Sequence, residues 1–427
     1  SEVINMAEMK DSGTAWLGMI PKDWELSKIS SIYEFRTQKV SDKDYPPLSV
    51  TMNGIVPQLD SAAKTNAHND RKLVKKGDFA INSRSDRRGS CGVSEYDGSV
   101  SLINTVMKPR DEMNPDYYNW LFHTIQFADE FYKWGHGIVD DLWTTNWQDM
   151  KHIDIPVPTL DEQKVIADYL NKAIPEIDAL HTDIEKQIET LEEYKKSIIT
   201  EAVTKGLINI NINGTQVDFT NTTDEQWECK KLKLLVAMPI IDGPHESPEL
   251  CDTGIPYISA TAIVDGKIDF NLMRGYISEE YCTECEKRYK PQLNDILVVK
   301  LGAGTGQVAM VDDNRKFNIW VPLAAVRCNE LVIPKFIYYG FQSDYVVTQM
   351  EQSWTYGTQE TLGIKTIEKL KFFIPTLNTQ RKIIQYLDNK CVNIDGAIEE
   401  KKEQLDTLEQ YKKSLIYEYV TGKKEVK

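Results

Sequence analysis

Residues 158–206 and 375–423 are two copies of one sequence, identical at 21 of 49 positions aligned without a gap. Both open Pro-Thr-Leu-x-x-Gln and close Leu-Glu-x-Tyr-Lys-Lys-Ser. Their offset of 217 residues is about half of the 427-residue chain, so the molecule reads as a duplicated unit. The order is head, helix, head, helix. The expected boundaries are 1–155 for the first head, 156–207 for the first helical spacer, 208–374 for the second head and 375–427 for the second spacer.

Apolar residues in the first copy recur in alternating steps of four and three: Leu170, Ile174, Ile177, Ile184, Ile188, Leu191 and Ile198. The second copy carries Leu387, Cys391, Ile394, Ile398, Leu405, Leu408 and Leu415 on the same stripe. That is the 3.5-residue period of a coiled-coil seam. His181, Lys195, Lys401 and Lys412 interrupt it, and a seam histidine is read here as a packing residue without chemistry. Two imperfect seams of equal length predict that the copies pack on each other within the chain. Asp161 is the expected N-cap of a short helix ending near Asn171, and Pro175 the first turn of a longer one. From Pro175 to about Lys205 that helix has roughly 30 residues and a length of about 45 Å.

The first head alternates short β-like runs at Pro47–Val50, Lys72–Val74, Asp78–Asn82 and Ser99–Val106 with Gly, Asn and Asp turns. A helix is expected over Tyr117–Tyr132, where aromatic residues recur at helical spacing and face a core. In the second head the β-like runs are Tyr257–Ser259, Ile296–Lys300, Val308–Val311 and Trp320–Val326, with a helix from about Pro334 to Gln352. Ile208–Asp224, polar and rich in Asn, reads as an exposed linker. Trp24-Glu-Leu-Ser-Lys-Ile is echoed by Trp227-Glu-Cys-Lys-Lys-Leu, a second trace of duplication.

Charge decides where to look for a site. The net charge of −15 argues against nucleic-acid binding if it is spread evenly. Residues 71–88 run the other way, with seven Lys or Arg against two Asp. Arg84, Arg87 and Arg88, supported by Asn82 and Ser83, stand in a glycine-bounded loop of the kind that phosphate contact and bidentate guanine readout require. The alternative is a solvated loop balancing nearby carboxylates. In the second head, residues 287–316 hold six basic residues against three Asp. Lys300, Thr305 and Gln307, around a Gly-rich loop, are its weaker candidates.

Catalytic motifs are mostly rejected. Asp295 to Gly306 runs a strand into a Gly-rich loop, but the β-like Gln307-Val-Ala-Met-Val follows where a phosphate-binding helix would start. A tight loop between two strands is the preferred reading. Asn114-Pro-Asp-Tyr resembles an adenine-methyltransferase loop except at Asp116, and reads as a helix start. Cys282-x-x-Cys285 has no matching second pair for zinc. Seven scattered cysteines suit a reducing cytoplasm, no run of 18 apolar residues would cross a membrane, and the N-terminus has no signal-peptide pattern. No nucleophile stands with a base. The residues point to a binding protein.

The repeated helices, the opening Ser12-Gly-x-x-Trp-Leu-Gly-x-Ile-Pro-x-x-Trp-Glu and Gly357-Thr-Gln359-x-x-Leu362 together resemble type I restriction-modification specificity subunits over the whole chain. The first head carries Gly135-His-Gly-Ile-Val-Asp where the second carries Gly-Thr-Gln. The resemblance implies an α+β chain with two α/β target-recognition domains, separated by two long antiparallel helices in an intramolecular coiled coil with pseudo-twofold duplication. It implies a non-catalytic subunit reading a bipartite, asymmetric site on double-stranded DNA. The implied partners are two adenine-methyltransferase (modification) subunits and restriction (translocase/endonuclease) subunits. S-adenosylmethionine, ATP and Mg would be bound by those partners and no cofactor by this chain. A 45 Å spacer spans about 13 base pairs, so half-sites about one turn apart are expected. The competing reading is a two-headed coiled-coil protein-interaction scaffold without DNA specificity. The acidic balance favours it and the arginine loop opposes it.

Overall fold

In the computed structural model, residues 8–58, 70–110, 112–137, 143–207, 210–212, 215–217, 227–302, 304–353 and 361–426 are described. The chain divides into two units: residues up to Ile184 together with those from Lys402 onward, and Glu185–Lys401.

The first unit contains a four-stranded antiparallel sheet in the order Cys91–Val93, Phe79–Asn82, Asn104–Pro109 and Tyr33–Phe35. Gly98–Val100, Arg71–Val74 and Lys39–Val40 form a three-stranded sheet. Tyr33, Phe79, Tyr117, Tyr118, Phe122, Phe127 and Phe131 fill the core and are fully buried. The aromatic stripe expected as one helix is two, Pro115–Phe122 and Ile125–Lys133. The Thr124 side chain accepts the N–H of Phe127 and so starts a new helix where the pattern alone reads as continuous. The expected strand over Ser99–Val106 is likewise two, Gly98–Val100 and Asn104–Pro109.

The second unit repeats the scheme. Its four-stranded sheet runs Ile241–Asp242, Leu323–Val326, Ile296–Val299, Val308–Met310. A three-stranded sheet sets Ile255–Ile258 between Gly275–Ile277, antiparallel, and Asn318–Ile319, parallel. The expected single helix is again two, Pro334–Gln342 and Asp344–Glu351, with Ser343 capping the second. The stretch read as a linker holds a short antiparallel pair, Ile210–Ile212 with Thr215–Val217.

Leu160–Lys205 is one unbroken helix of 46 residues, about 69 Å long, so the expected break before Pro175 is absent. Thr159 rather than Asp161 caps it. Thr159 Oγ1 accepts the Glu162 N–H at 3.3 Å, while the Glu162 carboxylate accepts the Thr159 N–H at 2.8 Å. An interior proline removes one helical hydrogen bond and costs about 3 kcal/mol. Pro175 and Asn171, whose carbonyl loses its partner, are both exposed, so water can serve that carbonyl. On the other face Leu170, Ile174 and Ile177 are buried at roughly 1.5–3 kcal/mol each, which outweighs the proline.

The second long helix is Leu377–Val420. Within the first unit the two long helices run antiparallel, with the Tyr169 and Tyr419 rings 4.5 Å apart and Lys412 paired to Asp178. Within the second unit they do so again, Lys401 reaching Gln187 at 2.5 Å and Lys195 reaching Asp395 at 2.6 Å. Of the seam residues, Leu170, Ile177, Ile198, Leu387, Ile394 and Leu415 are buried where the heads add cover. Ile184, Leu191, Leu405 and Leu408 are half-buried, as in a bare two-helix pair.

The duplication extends to the joints. Glu25–Lys28 pairs with Asp154–Val157 and Glu228–Lys231 with Lys371–Ile374, in the same antiparallel register. The buried Gln163 accepts the Asn114 N–H and donates to the Pro158 carbonyl, both at 2.8 Å. Its equivalent Gln380 accepts the Ile333 N–H at 2.8 Å and donates to the Pro375 carbonyl at 2.9 Å. At the far end of the second helix Gly422 turns with φ +67°, and an added Cβ would lie 2.4 Å from Pro21 Cγ. Glycine permits both the turn and the approach.

Candidate nucleic-acid interface

The arginine loop of the first head leaves the strand Phe79–Asn82, passes through a 3₁₀ turn at Ser85–Arg87 and returns at Cys91. The Tyr132 hydroxyl donates to the carbonyl of Asn82 at 3.0 Å and lies 3.3 Å from that of Arg87, tying both ends to the helix Ile125–Lys133. Asn82 Oδ1 accepts the Arg84 N–H at 3.1 Å. Ser83 is buried, with its hydroxyl 3.2 Å from that of Thr105, so it shapes the loop from within.

Folding engages most of the cations of residues 71–88, three of them with carboxylates outside that window. Arg71 is buried and donates to Ser99, and Lys72 donates to the Asn104 carbonyl. Lys75 and Lys76 pair with Asp97 and Glu95. Arg84 is held bidentately by Asp86 at 2.8 and 2.9 Å. Arg88 pairs with Asp129 and lies 5.9 Å over the Tyr132 ring. The Arg87 guanidinium is the loosest, its side chain 67% exposed and 4.0 Å from the Asp86 carboxylate. The local positive excess therefore shrinks to a small, exposed arginine edge.

In the second head Gly302, Gly304 and Gly306 all have positive φ and turn the strand Ile296–Val299 into Val308–Met310, the tight loop read from the sequence. The Thr305 hydroxyl donates to the Gly302 carbonyl at 2.7 Å and its side chain is buried, whereas Gln307 is exposed. Lys300 is buried beside Asp242 at 3.0 Å, so its ammonium is engaged within the head. Asp242 also pairs with Arg288 and lies 3.3 Å from His245. Burial disfavours the Asp242 carboxylate, but the Lys300 hydrogen bond and the charges of Lys300, Arg288 and His245 outweigh it and hold its pKa below the usual range. One carboxylate thus gathers three basic groups, Lys300, Arg288 and His245.

Sequence reasoning missed Arg274 and Trp320. The Arg274 guanidinium carbon lies 3.3 Å from the centre of the Trp320 ring. Gly243 allows the Asp242 loop to lie against the same backbone, since an added Cβ would fall 2.2 Å from the Ile319 carbonyl oxygen. A lone arginine outside the charge-dense windows leaves no signal in a local charge sum. Gly357, Gln359 and residues 138–142 lie outside the described residues. Among the described residues no group of three or more His, Cys, Asp or Glu could hold a metal, and no helix is long and apolar enough to cross a membrane.

A family model described as the type I restriction modification DNA specificity domain matches residues 21–190 and again 225–413. The chain is 23% identical over 425 residues to the type I restriction enzyme MjaVIII specificity subunit of Methanocaldococcus jannaschii, covering 96% of this chain and 94% of that one. It is 24% identical over 439 residues to the putative MjaX specificity subunit of the same organism, covering 96% of each. A solved chain from work on complex assembly and conformational transition of the type I R-M system shares the fold. Its TM-score is 0.70 at 13% identity, over 94% of this chain and 99% of that one.

Proposed function

The chain belongs to the family of type I restriction modification DNA specificity domains, of which it holds two, and from that premise we propose how its parts divide the work. It is a DNA-recognition subunit of a type I restriction-modification system. Each head reads one half of a bipartite, asymmetric site on double-stranded DNA. The long helices, joined to both heads through equivalent glutamines, scaffold two adenine-methyltransferase subunits and the restriction subunits. The chain itself performs no catalysis and works in the cytoplasm, while S-adenosylmethionine, ATP and Mg act on the partners.

One observation carries this reading. The family match falls twice, each time across a head and the helix after it, while the two heads present different cationic residues. Similar supports with different faces suit a site whose halves differ. In the first head Arg87, with Arg84 and Arg88 beside it, faces the DNA. In the second, Gln307 and the cluster around Asp242 do so, with Lys300 and Thr305 shaping the surface from within.

Mapping methylated adenines in cells with and without the gene tests this. The expected result is a two-part motif, with an unread gap, whose methylation vanishes with the gene. A methylation pattern indifferent to the gene would sink the proposal. The net charge of −15 and the internal pairing of most loop cations favour a second reading, a protein-interaction scaffold. Failure to recover a methyltransferase on purified chain would support that one.

A further inference from the structure

Arg274 and Trp320 stand at one end of a single small sheet. The Arg274 N–H donates to the Tyr257 carbonyl at 3.0 Å and the Trp320 N–H to the Ile258 carbonyl at 2.9 Å. Their backbones are therefore fixed from the two sides of the strand Ile255–Ile258. The guanidinium lies against the indole, a cation–π contact that also restricts the plane of the arginine.

The other arginines of the same head are committed to carboxylates: Arg288 to Asp242, Arg315 to Asp313, Arg327 to Asp295. For Arg274 no carboxylate partner is found among the described residues. Its one hydrogen bond to a side chain is a long one, Nη2 to the Ser247 hydroxyl at 3.4 Å. Its Nη1 and the Trp320 Nε1 are shielded from solvent and have no acceptor among the described residues. Each such donor costs roughly 1–3 kcal/mol while unfilled. A guanidinium ordered by stacking but not neutralised suits an acceptor from outside.

We propose that Arg274, oriented by Trp320, reads a guanine in the half-site contacted by the second head. The inference rests on the DNA-recognition reading above. Guanine presents two acceptors, N7 and O6, on its major-groove edge, and arginine meets them bidentately. Adenine and cytosine each place an amino donor there, which two N–H groups reject. The Ser247–Leu250 segment lies beside Arg274 and Gly275, so a base edge that meets both N–H groups displaces this segment together with its 3.4 Å serine contact.

The experiment is a genome-wide map of modified adenines in cells carrying the wild-type gene, R274A, R274K or R274Q, each with the complete partner set. R274K keeps the charge and the stem over Trp320, so it tests readout without losing the fold. The wild-type motif should contain a guanine in one half. R274A should lose preference there by on the order of tenfold or more, and R274K, which can still donate to N7 and O6, should keep part of it, with every other position retained. R274Q should move the preference toward adenine, the base that glutamine pairs bidentately. An unchanged motif in all three variants overturns the proposal. So does weaker modification at every site with preferences intact, which marks a phosphate contact. A wild-type chain that directs no sequence-dependent modification overturns the specificity reading together with it.

Discussion

Gln163 receives the backbone N–H of Asn114 on its side-chain oxygen at 2.8 Å, in a place sealed from water. The same carboxamide donates to Pro158, so one side chain joins the head to the helix that follows it. Replacing Gln163 by Leu strands an N–H and a carbonyl, at about 1–3 kcal/mol for each. We expect Gln163→Leu to destabilise the first unit and Gln380→Leu the second, read as faster hydrogen exchange confined to that unit. Exchange that rises equally in both units for either variant would contradict separate joints.

Pro175 sits within a helix on an exposed face, aligned with Val392 of the other copy. Pro175→Ala restores one hydrogen bond without disturbing the buried side. The urea midpoint should rise by the equivalent of about 1–3 kcal/mol. A fall would mean that the proline favours the geometry of the folded helix itself.

Lys195 and Lys412 break the seam and pair with Asp395 and Asp178 at partly exposed positions. Such pairs are worth at most about 1 kcal/mol. Lys195→Ala and Lys412→Ala should therefore each shift chemical denaturation only slightly. A loss above about 2 kcal/mol would show that the pairing is worth more than an exposed ion pair provides.

Asp242 lies beneath Lys300, Arg288 and His245 with its pKa held below the usual range. A carboxyl depressed in the folded state adds stability that is present above its unfolded value near 3.9. That contribution disappears as pH falls through the folded value. Acid should therefore weaken the second head below about pH 4, and Asp242→Asn should flatten that dependence. Removing the carboxylate leaves a buried lysine uncompensated, so the same variant should lose about 3 kcal/mol or more at neutral pH. Matching acid limbs for wild type and variant would remove Asp242 as the cause.

Arg87→Ala should relax sequence choice at one position of a single half-site, by about 1–3 kcal/mol in competition binding to the assembled complex. Lys75→Ala and Lys76→Ala, whose cations are paired to Asp97 and Glu95, should leave the motif unaltered. Uniform weakening by Arg87→Ala, with the motif intact, would reassign it to phosphate.

The long helices were legible because helical period and duplication are local signals, present in any window of the right length. Their continuity was not, since a proline forecasts a break and only burial of Leu170, Ile174 and Ile177 overrules it. The helix breaks at Thr124 and Ser343 went unread because aromatic spacing continues across the capping residues. The arginine loop was visible as a charge excess, but its neutralisation by Glu95, Asp97 and Asp129 was not. Arg274 was hidden for the opposite reason: what distinguishes it is Trp320, 46 residues away, and the lack of a carboxylate partner among the described residues.

The second unit is an uninterrupted run, Glu185–Lys401, while the first needs residues from both sides of it. Leu415, Ile416 and Val420 complete the first core, and the Tyr117 hydroxyl closes on the Val420 carbonyl across 303 residues. At roughly 5–20 residues per second on the ribosome, the apolar face of Leu170–Ile177 waits tens of seconds for its cover. The head that is synthesised first is the one whose core the last-made residues complete.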